Sequence, residues 1–198
     1  MIYLLPGLGA TSAMYDGPWM AMDKAKAIDW TEYSGETTLS QVADRIISEQ
    51  DVQPSDSLIG SSLGGLISLE IHNMLGLRVI VLIASAISQD EINPLLRTLA
   101  PFAQVAPMRL TRQLAGKSGH KLFSMFSEAD SEFVKAMCVA VSGWSGYGGS
   151  MDAIFRIHGD RDHVIRCPKD AHIISGGGHL ITMTHANACI EALNEISF

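Results

Sequence analysis

Apolar and polar positions along the chain follow two rhythms in turn. Met1-Ile2-Tyr3-Leu4-Leu5 is apolar without alternation, as in a parallel strand buried on both faces. Pro6-Gly7-Leu8-Gly9 breaks that run, and the spacing beyond it predicts a helix over about 12–26 and a second strand over 28–33. A helix opening at Thr38 or Ser40 would place Leu39, Val42, Ala43, Ile46 and Ile47 on one face, with Pro54 closing the unit. Asp56-Ser57-Leu58-Ile59 reads as a short strand. Leu63, Leu66, Ile67, Ile71, Met74 and Leu75 then fall at helical spacing, and Val79 to Ala84 is the clearest buried strand.

Beyond Ser85 the strand rhythm stops. From about 87 to 150 the pattern predicts helices near 91–103, 104–127 and 130–142, the last capped by Asp130 and carrying Phe133, Val134, Met137 and Val141 on its apolar face. A loop with Trp144 and Tyr147 follows. Strands resume at Ala153 to His158, leading into Gly159-Asp160-Arg161-Asp162, and at His172-Ile173-Ile174, leading into Gly176-Gly177-Gly178-His179. A final helix is expected from about Thr182 to Ile196. Strands alternating with helices imply an α/β fold, a mostly parallel sheet with helices on both faces. Such sheets bind ligands beyond the carboxyl ends of their strands, so the loops after these strands should gather on one rim.

Composition narrows the functional classes. At 198 residues, 47% hydrophobic and 18% charged, the chain suits a single domain over 1–198 with a full core. A net charge of -7 without a basic run makes nucleic acid and anionic membrane surfaces poor partners. The apolar start lacks a preceding positive charge and is cut by Pro6-Gly7. No apolar run is long enough for a bilayer, so no membrane span is expected. Cys138, Cys167 and Cys189 lie far apart with no C-x-x-C, which suits reduced thiols in a cytoplasmic protein. Asp160, His163 and His185 make no recognisable metal set, and no cofactor is expected.

Candidate chemistry centres on Gly60-Ser61-Ser62-Leu63-Gly64, which fits G-x-S-x-G between a predicted strand and a predicted helix. Such a turn lifts the Ser62 hydroxyl clear of the sheet, and small neighbours let strand and helix approach closely. The Leu63 amide would sit at a helix N-terminus, aimed where an oxyanion would form. A serine hydroxyl needs a base. Among seven histidines, His179 is favoured because it follows a glycine run after a predicted strand. The base needs a carboxylate to orient it, and Asp160 and Asp162 both follow one strand. Asp162 is favoured, in the chain order Ser62, Asp162, His179. His72 and His158 read as structural, His163 and His185 as rim residues with a possible substrate role. Ser61 is expected to point away from the apex. Met108, Met125 and Met137 suit core packing better than a cavity mouth.

These motifs together resemble the α/β-hydrolase superfamily over nearly the whole chain. Ile157-His158-Gly159-Asp160-Arg161-Asp162-His163-Val164-Ile165 is similar to the family's acid-strand motif, where the acid stands three after the glycine, which selects Asp162 over Asp160. Gly177-Gly178-His179 resembles its histidine loop. Pro6-Gly7-Leu8-Gly9 resembles its early oxyanion loop with Pro6 in place of the usual histidine, and the match makes the Leu8 amide the second oxyanion donor beside Leu63. The family commonly has two antiparallel strands before the oxyanion strand. This chain starts at that strand, so a trimmed sheet of about six strands is expected, with a helical cap inserted over about 87–150.

The resemblance implies a serine hydrolase that forms an acyl-enzyme on Ser62. Apolar faces and aromatics in the cap region (Phe102, Phe123, Phe126, Trp144) favour a small to medium, largely apolar carboxylic ester as the small-molecule substrate. Thioesters and carbon–carbon bonds suit the same triad. A ligand-binding or signalling protein that retains the fold is the alternative of another class, and a cofactor-free oxidative enzyme a third. Oligomeric state and substrate-binding residues are not legible.

Overall fold

The structure, a computed structural model, describes residues 1–93, 125 and 129–198. Its centre is a parallel sheet of six strands among those residues: β1 (Ile2–Leu5), β2 (Ala25–Ala27), β3 (Ser57–Ser61), β4 (Val79–Ile83), β5 (Ile154–Gly159) and β6 (His172–Ile174), in the order β2-β1-β3-β4-β5-β6. The register brings the strand ends level. Leu5 pairs with Gly60, Ser61 with Ile83, and Gly159 with Ile174, so the loops that follow share one rim.

Alternate strand residues feed opposite cores, which is why the strands read as unbroken apolar runs. Leu5, Leu58, Ile80 and Leu82 pack with the helices α1 (Leu39–Gln50), α2 (Leu63–Leu75) and α3 (Ser131–Gly143). Leu4, Ile59, Val81, Ile83 and Ile157 pack on the other face with residues of α4 (Ile181–Thr184) and α5 (Ala186–Leu193) and with two 3₁₀ turns, Ser12–Tyr15 and Gly17–Ala21. Thr38, not Ser40, caps α1: its side chain accepts from Gln41 N while Gln41 Oε1 accepts from Thr38 N, each at 3.2 Å. Asp130 caps α3 as expected, accepting from Glu132 N at 2.8 Å.

Three expectations are corrected. The helix over 12–26 is two 3₁₀ turns because Gly17 takes φ +75 and Pro18 brings no amide donor. The second strand runs over Ala25–Ala27, ahead of the expected 28–33, which forms a loop. The final helix is interrupted at His185 (φ −133, ψ 36), beside a Thr184 hydroxyl that donates back to the Leu180 carbonyl at 3.0 Å.

Of the expected cap, the helices over 91–103 and 104–127, with Met108, Phe102, Phe123 and Phe126, lie outside the described residues except for 91–93 and Met125. Met125 is buried in the core, as is Met137. The roots of this region are clamped to the sheet. Ile92 bridges Ile165 in antiparallel register, and the guanidinium of Arg156 on β5 holds both Glu91 carboxylate oxygens, at 3.0 and 2.6 Å. On the returning side, Trp144 Nε1 donates to Glu70 at 2.9 Å, and Gln89 donates to the Trp144 carbonyl.

Candidate active site

Ser62 stands between β3 and α2 with φ 52 and ψ −116, a backbone conformation unfavourable for a residue with a side chain. The surroundings enforce it. A Cβ on Gly60 would run into the Gly64 carbonyl and the Gly65 amide, and one on Gly64 would run into the Leu5 and Pro6 carbonyls. The Ser62 amide donates to Ile83 O at 3.0 Å, and its carbonyl accepts from the Ser85 hydroxyl at 2.7 Å. Gly65 and Ser85 belong to this turn although the pentapeptide does not include them: a Cβ on Gly65 would strike the Ser85 side chain.

The other two loops arrive through a matching close approach. Gly159 at the end of β5 leaves no room for a Cβ against the Gly177 backbone, and Arg161 N donates to Gly177 O at 2.8 Å. His179 is thereby set with Nε2 3.0 Å from Ser62 Oγ and Nδ1 2.8 Å from Asp162 Oδ2. A carboxylate only accepts, so Nδ1 carries the proton, and the neutral ring's Nε2 accepts from the serine hydroxyl. The Asp162 carboxyl is fully buried and His179 nearly so (0% and 7% side-chain exposure), which shields the relay from competing water.

All of Asp162's acceptor capacity is engaged. Oδ1 accepts from Val164 N at 2.8 Å and Ile165 N at 3.0 Å, and Oδ2 accepts from both His179 and His158. Burial alone would raise its pKa. The hydrogen bonds from His158 and His179, attraction to His179 and the Ile165 amide outweigh that and hold the carboxyl well below the usual carboxylate range. His158 is the buried histidine expected within a strand. Its Nε2 lies 3.1 Å from both Ile165 O and Asp162 Oδ2, two acceptors that fix the proton on that nitrogen. That contact with the acid could not be read from the sequence, because the loop that closes it is not periodic.

Asp160 does other work: its carboxylate accepts from Gly176 N at 2.7 Å, anchoring the glycine loop that carries His179. Ser61 turns away, 3.5 Å from Thr182 Oγ1. His163 is exposed and His185 contacts the Thr184 hydroxyl at 2.8 Å, and no contact among the described residues joins either to Ser62. His72 sits on α2 beside Tyr147.

The loop after β1 lies against the elbow. A Cβ on Gly7 would sit 3.6 Å from Ser62 Cβ. Gly7 N donates to Met14 Sδ at 3.3 Å, and the Gly7 carbonyl accepts from Ala10 N at 3.1 Å and Trp30 Nε1 at 3.0 Å. The Leu8 and Leu63 amides have no hydrogen-bond partner among the described residues. No group of three metal-ligating side chains is found among them, and no helix among them is long and apolar enough to cross a membrane.

A parallel sheet of six strands among the described residues, with helices packed on both faces, gives this chain the α/β-hydrolase fold. It is similar to the enol-lactonase from Burkholderia xenovorans LB400 (14% identity, TM-score 0.76, covering 98% of this chain and 89% of the other). It is also similar to a thermophilic esterase from Thermogutta terrifontis (15%, 0.76, 98% and 88%) and to a lipase-esterase related protein from Clostridium acetobutylicum ATCC 824 (13%, 0.78, 99% and 93%). No family model matches the sequence. No curated protein matches it.

Proposed function

We propose that the protein is a serine hydrolase that cleaves small to medium, largely apolar carboxylic esters through an acyl-enzyme on Ser62. The observation that carries this reading is the unbroken relay from Ser62 Oγ through His179 to Asp162, at 3.0 and 2.8 Å, on a serine whose backbone is held at φ 52. The esterase, lipase-esterase and enol-lactonase whose structures it resembles support it at the level of ester chemistry.

As Ser62 Oγ attacks the carbonyl carbon, its proton passes to His179 Nε2. The bond pair of the carbonyl moves to oxygen, and the oxyanion is met by the Leu8 and Leu63 amides. Leu63 adds the positive end of α2. The imidazolium is stabilised by the buried Asp162 and returns its proton to the departing alkoxide. Water then repeats the sequence on the acyl-enzyme, with His179 as its base. Asp162 has no free acceptor site, so it orients and neutralises without taking the proton. The setting we propose is the cytoplasm, on the acidic charge and the three unpaired cysteines.

A panel of p-nitrophenyl esters, acyl-CoAs and β-diketones tests the substrate class. The expected result is turnover of short and medium esters that falls by about 10⁴-fold or more in Ser62→Ala. Parental rates in Ser62→Ala would remove the serine from the mechanism, and turnover confined to thioesters or β-diketones would replace the ester.

A further inference from the structure

The loop after β1 contains one hydrogen bond that the ester reading does not use. Trp30 Nε1 donates to the Gly7 carbonyl at 3.0 Å, across 23 positions of chain. That carbonyl and the Leu8 N–H are the two ends of a single planar peptide unit. The peptide bonds are trans among the described residues, so the two ends point in opposite directions. Whatever fixes the carbonyl therefore fixes the heading of the Leu8 N–H. The neighbouring Gly7 amide is turned to Met14 Sδ, whereas the Leu8 amide, like that of Gly9, has no hydrogen-bond partner among the described residues.

We infer that Trp30 is a positioning residue for the oxyanion site: by holding the Gly7 carbonyl it aims the Leu8 amide at the carbonyl oxygen bound over Ser62. This rests on the serine hydrolase reading above. Three observations make the indole a fixed pointer. Its ring packs on Phe133 of α3, with centroids 5.4 Å apart, and Tyr33 packs on the same phenyl ring at 6.3 Å. The preceding residue, Asp29, ties the loop back to the first 3₁₀ turn by accepting from Ser12 N at 2.6 Å. A few residues on, Arg45 of α1 reaches the Glu32 carbonyl at 2.5 Å and pairs with the buried Glu36. The indole N–H and the Ala10 amide both donate to the Gly7 carbonyl, and such sharing polarises the peptide and makes its Leu8 N–H a better donor. Trp30 touches no reacting atom. Its effect reaches the oxyanion through one peptide, and through Phe133 it links that peptide to α3.

Two replacements remove the donor while keeping a ring against Phe133: Trp30→Phe, and site-specific replacement of Trp30 by benzothienylalanine, which keeps the bicyclic shape. Each is assayed for ester turnover, for affinity toward a trifluoromethyl ketone that forms a tetrahedral adduct on the serine, and for the ¹H–¹⁵N resonance of Leu8. The expected result is a fall in kcat of about 3- to 10-fold, the scale of one neutral hydrogen bond, with KM within about twofold. Ketone affinity falls by the same factor, and the Leu8 resonance shifts while that of Leu63 stays. A change confined to packing would not move ketone affinity in step with kcat. An active parent whose folded variants keep kcat, ketone affinity and the Leu8 resonance sinks the role of Trp30 alone. A folded parent that neither turns over an ester nor binds the ketone sinks the hydrolase reading, and the role of Trp30 with it.

Discussion

The turn after β3 and the loop after β1 lie side by side on one rim, yet they are held in opposite ways. The elbow is shaped mainly by close backbone packing, braced by one hydroxyl, that of Ser85: Gly60, Gly64 and Gly65 permit contacts that no Cβ would survive, and Ser62 is left at φ 52. The loop after β1 is held by side chains from elsewhere. Tyr15 donates to Leu5 O at 2.7 Å, Met14 Sδ accepts from Gly7, and Trp30 reaches the Gly7 carbonyl. Burial pushes the Tyr15 phenol far up, so it remains a donor at every working pH. The difference separates two ways of holding a loop at the rim. One leaves no room for a Cβ at its glycines, and the other tolerates change in itself but less in its supports.

The largest expected effect is at the elbow. Ser62→Gly should lose about 10⁴-fold or more in kcat/KM. It should nevertheless be more stable than the parent by about 1 kcal/mol, because glycine accepts the strained conformation and gives back only part of that gain in chain entropy. Kinetics and thermal melts on one sample check both signs, and a destabilised Ser62→Gly would mean the turn stores no strain. Next, Gly64→Ala should cost about 3 kcal/mol or more, since its methyl meets the Leu5 and Pro6 carbonyls. Gly7→Ala should cost under about 1 kcal/mol, its Cβ meeting ordinary contacts at 3.6 and 3.7 Å. Equal losses in urea melts would erase the contrast.

The acid loop is likewise built on a side chain, and pH exposes it. The folded Asp162 carboxyl lies below its ordinary value of 3.8, so its stabilisation is full above that value and is lost as pH falls toward the folded one. Asp162→Asn should be less stable by about 2–3 kcal/mol from pH 7 to 5, with the gap to the parent shrinking below about pH 4. A gap that widens in acid would reverse the sign. Tyr15→Phe, which leaves the Leu5 carbonyl without this donor, should cost about 1–2 kcal/mol in a denaturant melt, more than a change within the loop itself at Gly7.

What the sequence discloses follows the same division. The elbow, the acid loop and the histidine loop could be found because each is a short motif whose glycines and candidate residue are neighbours in the chain. Ser62, Asp162 and His179 are brought together as that reading expects. The supports are not local. Trp30 and Tyr15 act 23 and 10 positions from the carbonyls they hold, out of irregular segments whose apolar spacing mimics a helix over 12–26 and a strand over 28–33. Gly17-Pro18 was the sign that the helix could not continue. Ser85 sits 23 positions from the serine it braces, just past the end of a strand, and Gly65 just past the pentapeptide. His158 was legible as buried, but its contact with Asp162 depends on a loop that no periodicity describes.

The central claim, that Ser62 is made nucleophilic by His179 and Asp162, is tested most directly by intact-mass analysis after exposure to a fluorophosphonate. The account predicts one adduct, mapped to Ser62, absent in Ser62→Ala and formed far more slowly in His179→Ala. A folded parent that takes up no phosphonate, or takes it up at another residue, would contradict it.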